Sequence, residues 1–143
     1  MSTHRIHVFI SHSWAYSNHY TTMREWIFDE KWRVGQASLV FLDYSVPKDD
    51  PIHNAPSDRA LRDAIYRKIV RSHVVAIPTG MYVNYSKWIK KEIDGAEEKG
   101  KPILGVNPWG RQRVSRVVAD AADRLVGWQK KSVIGGIWKL YRR

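Results

Sequence analysis

Short apolar runs at residues 6–10, 39–42, 74–77 and 103–106, with a weaker one at 125–128, alternate along the chain with segments of helical periodicity. No other feature constrains the fold as strongly. Each run is rich in Val, Ile, Leu or Phe and lacks a polar residue at every second position, the pattern of a strand covered on both faces. Between the runs, Tyr20, Met23 and Ile27 recur at helical spacing. Leu61, Ile65 and Ile69 do so behind the capping candidates Ser57 and Asp58, and Ile89, Ile93 and Ala96 form a third stripe that stops at Gly100. A weaker helix is expected near 115–122, and a last one over 133–141 carries Ile134, Ile137, Trp138 and Tyr141.

Strand–helix–strand alternation at this spacing requires right-handed crossovers and a parallel sheet between two helix layers. The expected class is therefore α/β, a flavodoxin-like three-layer fold with a five-stranded parallel sheet in the order 2-1-3-4-5. Ligands of such sheets sit beyond the carboxyl ends of the strands, where the strand order reverses. Here that point falls between strands one and three, at the loops 11–14 and 78–81.

With 143 residues the chain fits one domain, 1–143, large enough to bury a core without staples. A hydrophobic share of 43% argues against disorder. There is no cysteine, which excludes disulfides, thiol catalysis and Cys-based zinc sites and agrees with a cytoplasmic location. No apolar run approaches the roughly 18–20 residues of a membrane span, and the N-terminus lacks a signal-peptide core. The net charge of +10 is lopsided: residues 1–70 hold nine Lys/Arg against eight Asp/Glu, residues 71–143 fifteen against six. Such a balance suits an anionic partner, or simply keeps the surface soluble.

Several chemistries are absent from the motifs. The chain has no G-x-x-x-x-G-K-[ST], no G-x-G-x-x-G after the first strand and no G-x-S-x-G. Six histidines are scattered without metal-ligand spacing. The acidic, proline-broken loop 43–51 has carboxylates that suit Mg²⁺, but no acceptor Asp follows the third strand, and a solvated connection explains the loop as well. The most specific feature is Trp88-x-x-x-Glu92, whose spacing puts both side chains on one side of the third helix, about 100° from the Ile89/Ile93 stripe. Glu92 is thus expected at the margin of the buried face beside an indole, able to stabilise a cation. The alternative is a surface Glu paired with Lys87, Lys90 or Lys91.

The order of motifs resembles a Toll/interleukin-1 receptor (TIR) domain, of the bacterial TIR-like family that includes ThsB of Thoeris antiphage systems. Val8-Phe9-Ile10-Ser11-His12-Ser13 is similar to the family's first-strand motif, and Asp43 with the proline-containing loop after it to the BB loop. Ser86-x-Trp88-x-x-x-Glu92 resembles the catalytic helix, and Lys101-Pro102-Ile103-Leu104-Gly105-Val106 the strand that follows. The resemblance implies a TIR fold and cleavage of NAD⁺ at the nicotinamide–ribose bond, giving ADP-ribose or a cyclic isomer as an antiviral signal. It makes Glu92 the catalytic carboxylate and Trp88 a wall of the pocket. Phe9, Ser11 and His12 line the nicotinamide side, and Asp43 and Ser86 complete the substrate-binding set. No cofactor or metal is implied beyond NAD⁺ as substrate. A homo-oligomer formed through residues 44–57 and a separate effector that responds to the nucleotide are expected, without a membrane. Two other functions remain open: a non-catalytic TIR assembly module, and nucleic-acid binding by a basic second half that includes Arg111, Arg113, Arg116, Lys130, Lys131, Lys139, Arg142 and Arg143.

Overall fold

The β1 strand, Ser2–Ile10, is the spine of the sheet, flanked on one side by β3 (Ala37–Asp43) and on the other by β4 (Val74–Pro78). The computed structural model describes residues 2–16, 20–45, 57–80, 82–108 and 114–143. Beyond β4 come β5 (Ile103–Val106) and β6 (Arg124–Val126), and beyond β3 lies β2 (Trp32–Val34). The helices are α1 (Tyr20–Phe28), α2 (Asp58–Ile69), α3 (Tyr82–Glu98), α4 (Arg116–Ala121) and α5 (Lys130–Arg142). A 3-10 helix, His12–Tyr16, follows β1.

The sheet corrects the expected one in two respects. It has six strands in the order β2-β3-β1-β4-β5-β6, and it is mixed, because β2 runs antiparallel to β3. Gly35, at φ 59, is the first residue of the two-residue turn between them and takes the left-handed conformation a tight hairpin needs. The last strand is Arg124–Val126 rather than 125–128, and Leu125 on it is 46% exposed, so this edge is not covered on both faces. Among the parallel strands the sequence β3-β1-β4-β5-β6 keeps the reversal of order between β1 and β4.

Side chains of β1 alternate between the two helix layers, as a pleated strand requires. Ile6, Val8 and Ile10 join Met23 and Ile27 of α1 and Ile134 and Ile137 of α5 in one core. Phe9 joins Leu61, Ile65 and Ile69 of α2, Ile89 and Ile93 of α3 and Val118 of α4 in the other. The apolar stripes read from the sequence are thus the buried faces. Ser57 caps α2, its hydroxyl accepting from the Ala60 N–H at 3.1 Å. Gly100, at φ 67, lies just past the end of α3.

Candidate active site

The carboxyl ends of β1, β3, β4 and β5 are tied together by hydrogen bonds. The Ser11 N–H donates to Ala76 O (2.8 Å) and Tyr44 N–H to Val8 O (2.9 Å). Where β3 ends, the Ser45 hydroxyl accepts from Ile10 N–H at 2.7 Å and so completes the ladder. Buried Thr79 at the end of β4 donates from its N–H to Val106 O (3.0 Å) and from its hydroxyl to Asn107 Oδ1 (2.9 Å).

Into this frame α3 delivers Glu92. The Ser11 hydroxyl donates to Oε1 at 2.6 Å and the His12 backbone N–H to Oε2 at 2.8 Å. Ser13 extends the network, its Oγ lying 2.7 Å from Ser11 Oγ. The ring of His12 packs on the indole of Trp88, one helical turn before Glu92, with centroids 4.5 Å apart. Glu92, Ser11 and Ser13 have no exposed surface, His12 2% and Trp88 9%. Burial raises the Glu92 carboxyl from 4.5 to about 7, against the opposing pull of the Ser11 hydroxyl and the His12 N–H.

The expected position of Glu92 at a half-open margin is therefore corrected: the side chain is enclosed. The surface pairing is corrected too, since Lys87 and Lys91 turn to Asp58 on α2, at 3.4 and 3.9 Å. Helical spacing fixed the angle between Glu92 and the Ile89/Ile93 stripe, but a loop from the end of β1 covers that angle.

Of the other residues singled out, Ser11, His12 and Trp88 surround Glu92. Phe9 lies wholly within the α2/α3 core and offers no surface to a ligand in this arrangement. Asp43 is bridged by Arg24 and accepts from the Ser45 N–H at 2.9 Å, so among the described residues it is linked to the site through Ser45 and Ile10. Ser86 is exposed, six residues before Glu92 and about 120° around the helix from it. Residues 46–56 of the loop expected to mediate assembly lie outside the described residues, as do Arg111 and Arg113. Sequence reasoning gave no role to Ser13, although the first-strand motif includes it, or to Ser45, for which the first loop carries no signal. Among the described residues no group of three side chains converges as a metal site, and no helix is long and apolar enough to cross a membrane.

A doubly wound sheet with a buried acid at the reversal of strand order defines an α/β domain with its candidate site at the switch point. The family model described as the TIR-like domain of the Thoeris protein ThsB matches residues 9–113, from the end of β1 past β5. The chain belongs to that family, a TIR module of antiphage defence that works alongside other defence components. A search of curated proteins found no match.

Proposed function

We propose that this domain cleaves the nicotinamide–ribose bond of NAD⁺, with Glu92 as the carboxylate that stabilises the ribosyl cation. The observation that supports this most is a fully buried carboxyl at the carboxyl end of β1 with its pKa raised to about 7. As the C1′–N bond breaks, its electron pair leaves with neutral nicotinamide, so no general acid is needed. The ribose becomes oxocarbenium-like, and a carboxylate in a dry site stabilises that charge far more than water does. Water, or a hydroxyl or ring nitrogen of the same molecule, then attacks C1′. A group that titrates near neutrality is well matched to take up the proton released by a water or hydroxyl nucleophile. For contact, ribose hydroxyls must replace the Ser11 hydroxyl at Oε1. Trp88, packed on the His12 ring one helical turn before Glu92, walls the pocket. NAD⁺ is here a substrate, assembly through residues 44–57 is a proposed route to an active oligomer, and a separate effector reads the product.

The test is release of nicotinamide from NAD⁺, followed by chromatography, for wild type and Glu92→Gln across a range of protein concentrations. Wild-type release that falls by at least ~100-fold in the variant supports the assignment; release undiminished in Glu92→Gln removes Glu92 from it. Mass spectrometry of the nucleotide separates ADP-ribose from a cyclic isomer.

A second reading is favoured by one observation: both oxygens of Glu92 are already satisfied and enclosed. In it Glu92 is an anchor that pins the turn after β1 to α3, and the domain only assembles. Concentration-dependent association with no nicotinamide release at any concentration supports this reading.

A further inference from the structure

Residues 124–143 contain six Lys/Arg and no Asp or Glu. Three of these cations are engaged inside the fold. Lys130 pairs with Glu30, Arg143 pairs with Asp123 at 3.4 Å, and Arg142 lies over the Trp138 ring, 5.1 Å from its centroid. The other three, Arg124, Lys131 and Lys139, make no ion pair among the described residues. They line one groove of about 420 Å³ between β6 and α5, and no carboxylate lines it.

The floor of this groove is shaped by two adjacent glycines with different reasons to be there. A Cβ at Gly136 would come within 2.7 Å of Leu104, so close packing of α5 on the sheet requires it. A Cβ at Gly135 would meet nothing within 4 Å, so packing does not require that one, although a helix-interior glycine weakens a helix relative to alanine. Lys131, Gly135 and Lys139 succeed one another at four-residue spacing and form one stripe of α5. Gly135 leaves the space between the two lysines open over about 12 Å of helix.

We infer that the α5–β6 face binds the phosphodiester backbone of a nucleic acid without reading its bases. Lys131 and Lys139 are eight residues apart on α5, about 12 Å along the helix, with Arg124 on β6 lining the same groove, so the charges reach further than a single phosphate spans and suit an extended polyanion. Arg124 supplies a planar fork matched to phosphate, and the lysines supply point charges. A protein partner would want an apolar anchor at the centre of the contact. The apolar residues of α5, Val133, Ile134, Ile137, Trp138 and Leu140, are all buried, and Leu125, which also borders the groove, packs over Gly105. The groove lies against the α1/α5 layer, whereas Glu92 lies in the α2/α3 layer, so the inference does not depend on the NAD⁺ reading.

The experiment is fluorescence anisotropy of the full chain with labelled oligonucleotides of about 20 nucleotides and two unrelated sequences, titrated between about 50 and 200 mM salt. Wild type is expected to bind both sequences alike. The combined Arg124→Gln, Lys131→Gln and Lys139→Gln protein loses at least ~30-fold in affinity, and its log–log salt slope falls by about two to three. A charge-matched control, Arg59→Gln, Arg67→Gln and Lys90→Gln, loses less than ~3-fold with the slope unchanged. Gly135→Leu, which fills the groove and keeps every charge, loses at least ~10-fold while circular dichroism shows an intact fold. Equal losses in the two triple variants, no binding at about 50 mM salt, or tighter binding of a poly-glutamate peptide than of either oligonucleotide each overturn the inference.

Discussion

Replacing Glu92 by Gln tests the central site without any assumption about catalysis. The carboxyl has no exposed surface and titrates at about 7, against 4.5 for the ordinary group, because burial penalises its charged form more than Ser11 and His12 favour it. Each pKa unit between folded and unfolded chains corresponds to about 1.4 kcal/mol, so holding Glu92 ionised in place costs the fold about 3 kcal/mol. The sign follows from the direction. The folded pKa is the higher one, so below about pH 4.5 the acid is neutral in both states and nothing is lost. Stability falls as pH rises from 4.5 and the loss is complete above about 7. For a domain whose whole stability is on the order of 5–15 kcal/mol, that is a substantial fraction.

Glutamine reproduces the neutral acid. Its carbonyl accepts from the His12 N–H, its NH₂ donates to Ser11 Oγ, and the Ser11 hydroxyl turns toward Ser13 Oγ, 2.7 Å away. Urea unfolding of both proteins should therefore give stabilities within about 0.5 kcal/mol at about pH 4.5. At about pH 8.5 Glu92→Gln should be the more stable by about 3 kcal/mol, a midpoint shift of about 1–2 M. Groups that titrate elsewhere, among them His73, whose pKa burial lowers, are common to both proteins and cancel. A constant difference across this pH range, or a less stable variant at the alkaline end, would refute the reasoning, because Glu92 would then be a well-paired anion in the fold.

Trp88→Ala removes the ring that packs on His12 and should lower stability by about 3–5 kcal/mol. By admitting water it should also bring the Glu92 pKa down toward the ordinary carboxylate range, which ¹³C titration of the labelled carboxyl would show. Two glycine substitutions should act in opposite directions in thermal melts. Gly95→Ala puts a Cβ 2.8 Å from the Tyr66 ring between α2 and α3 and should destabilise by about 1–3 kcal/mol. Gly135→Ala meets nothing within 4 Å and should stabilise by about 0.5–1 kcal/mol.

Periodicity made the two-layer core legible in advance. Leu61/Ile65/Ile69 and Ile89/Ile93/Ala96 are buried as their spacing requires, because a helix on a sheet must bury one stripe. The edges were harder to read. β2 is three residues long, includes Arg33, and owes its conformation to pairing with β3 across the Gly35 turn. The Gly-Gln pair between apolar residues was its only local signal. β6 is likewise an edge strand, held by β5 on one side, and its exposed Arg124 and Leu125 show none of the continuous burial that marked β4. For the site, the sequence placed Trp88 and Glu92 on one side of a helix but could not show what closed over them. Closure comes from Ser11 and His12, about eighty residues earlier in the chain, and a contact at that separation leaves no trace in local spacing.

The two readings of Glu92 differ in the sign of one quantity. An anchor that exists to pin the turn after β1 to α3 should stabilise the fold in the state it occupies at neutral pH. A fully buried carboxyl with one hydroxyl and one N–H as partners instead lowers stability once it ionises, although an amide of the same shape would hold the same two bonds. Residues that weaken a fold where a neutral isostere would fit concentrate at sites that do chemistry. A more stable Glu92→Gln protein at alkaline pH therefore argues for a group kept for its reactivity, whereas a less stable one argues for the anchor. Unfolding thus separates the readings before any substrate is added, and the nicotinamide assay then asks whether the buried acid cleaves NAD⁺.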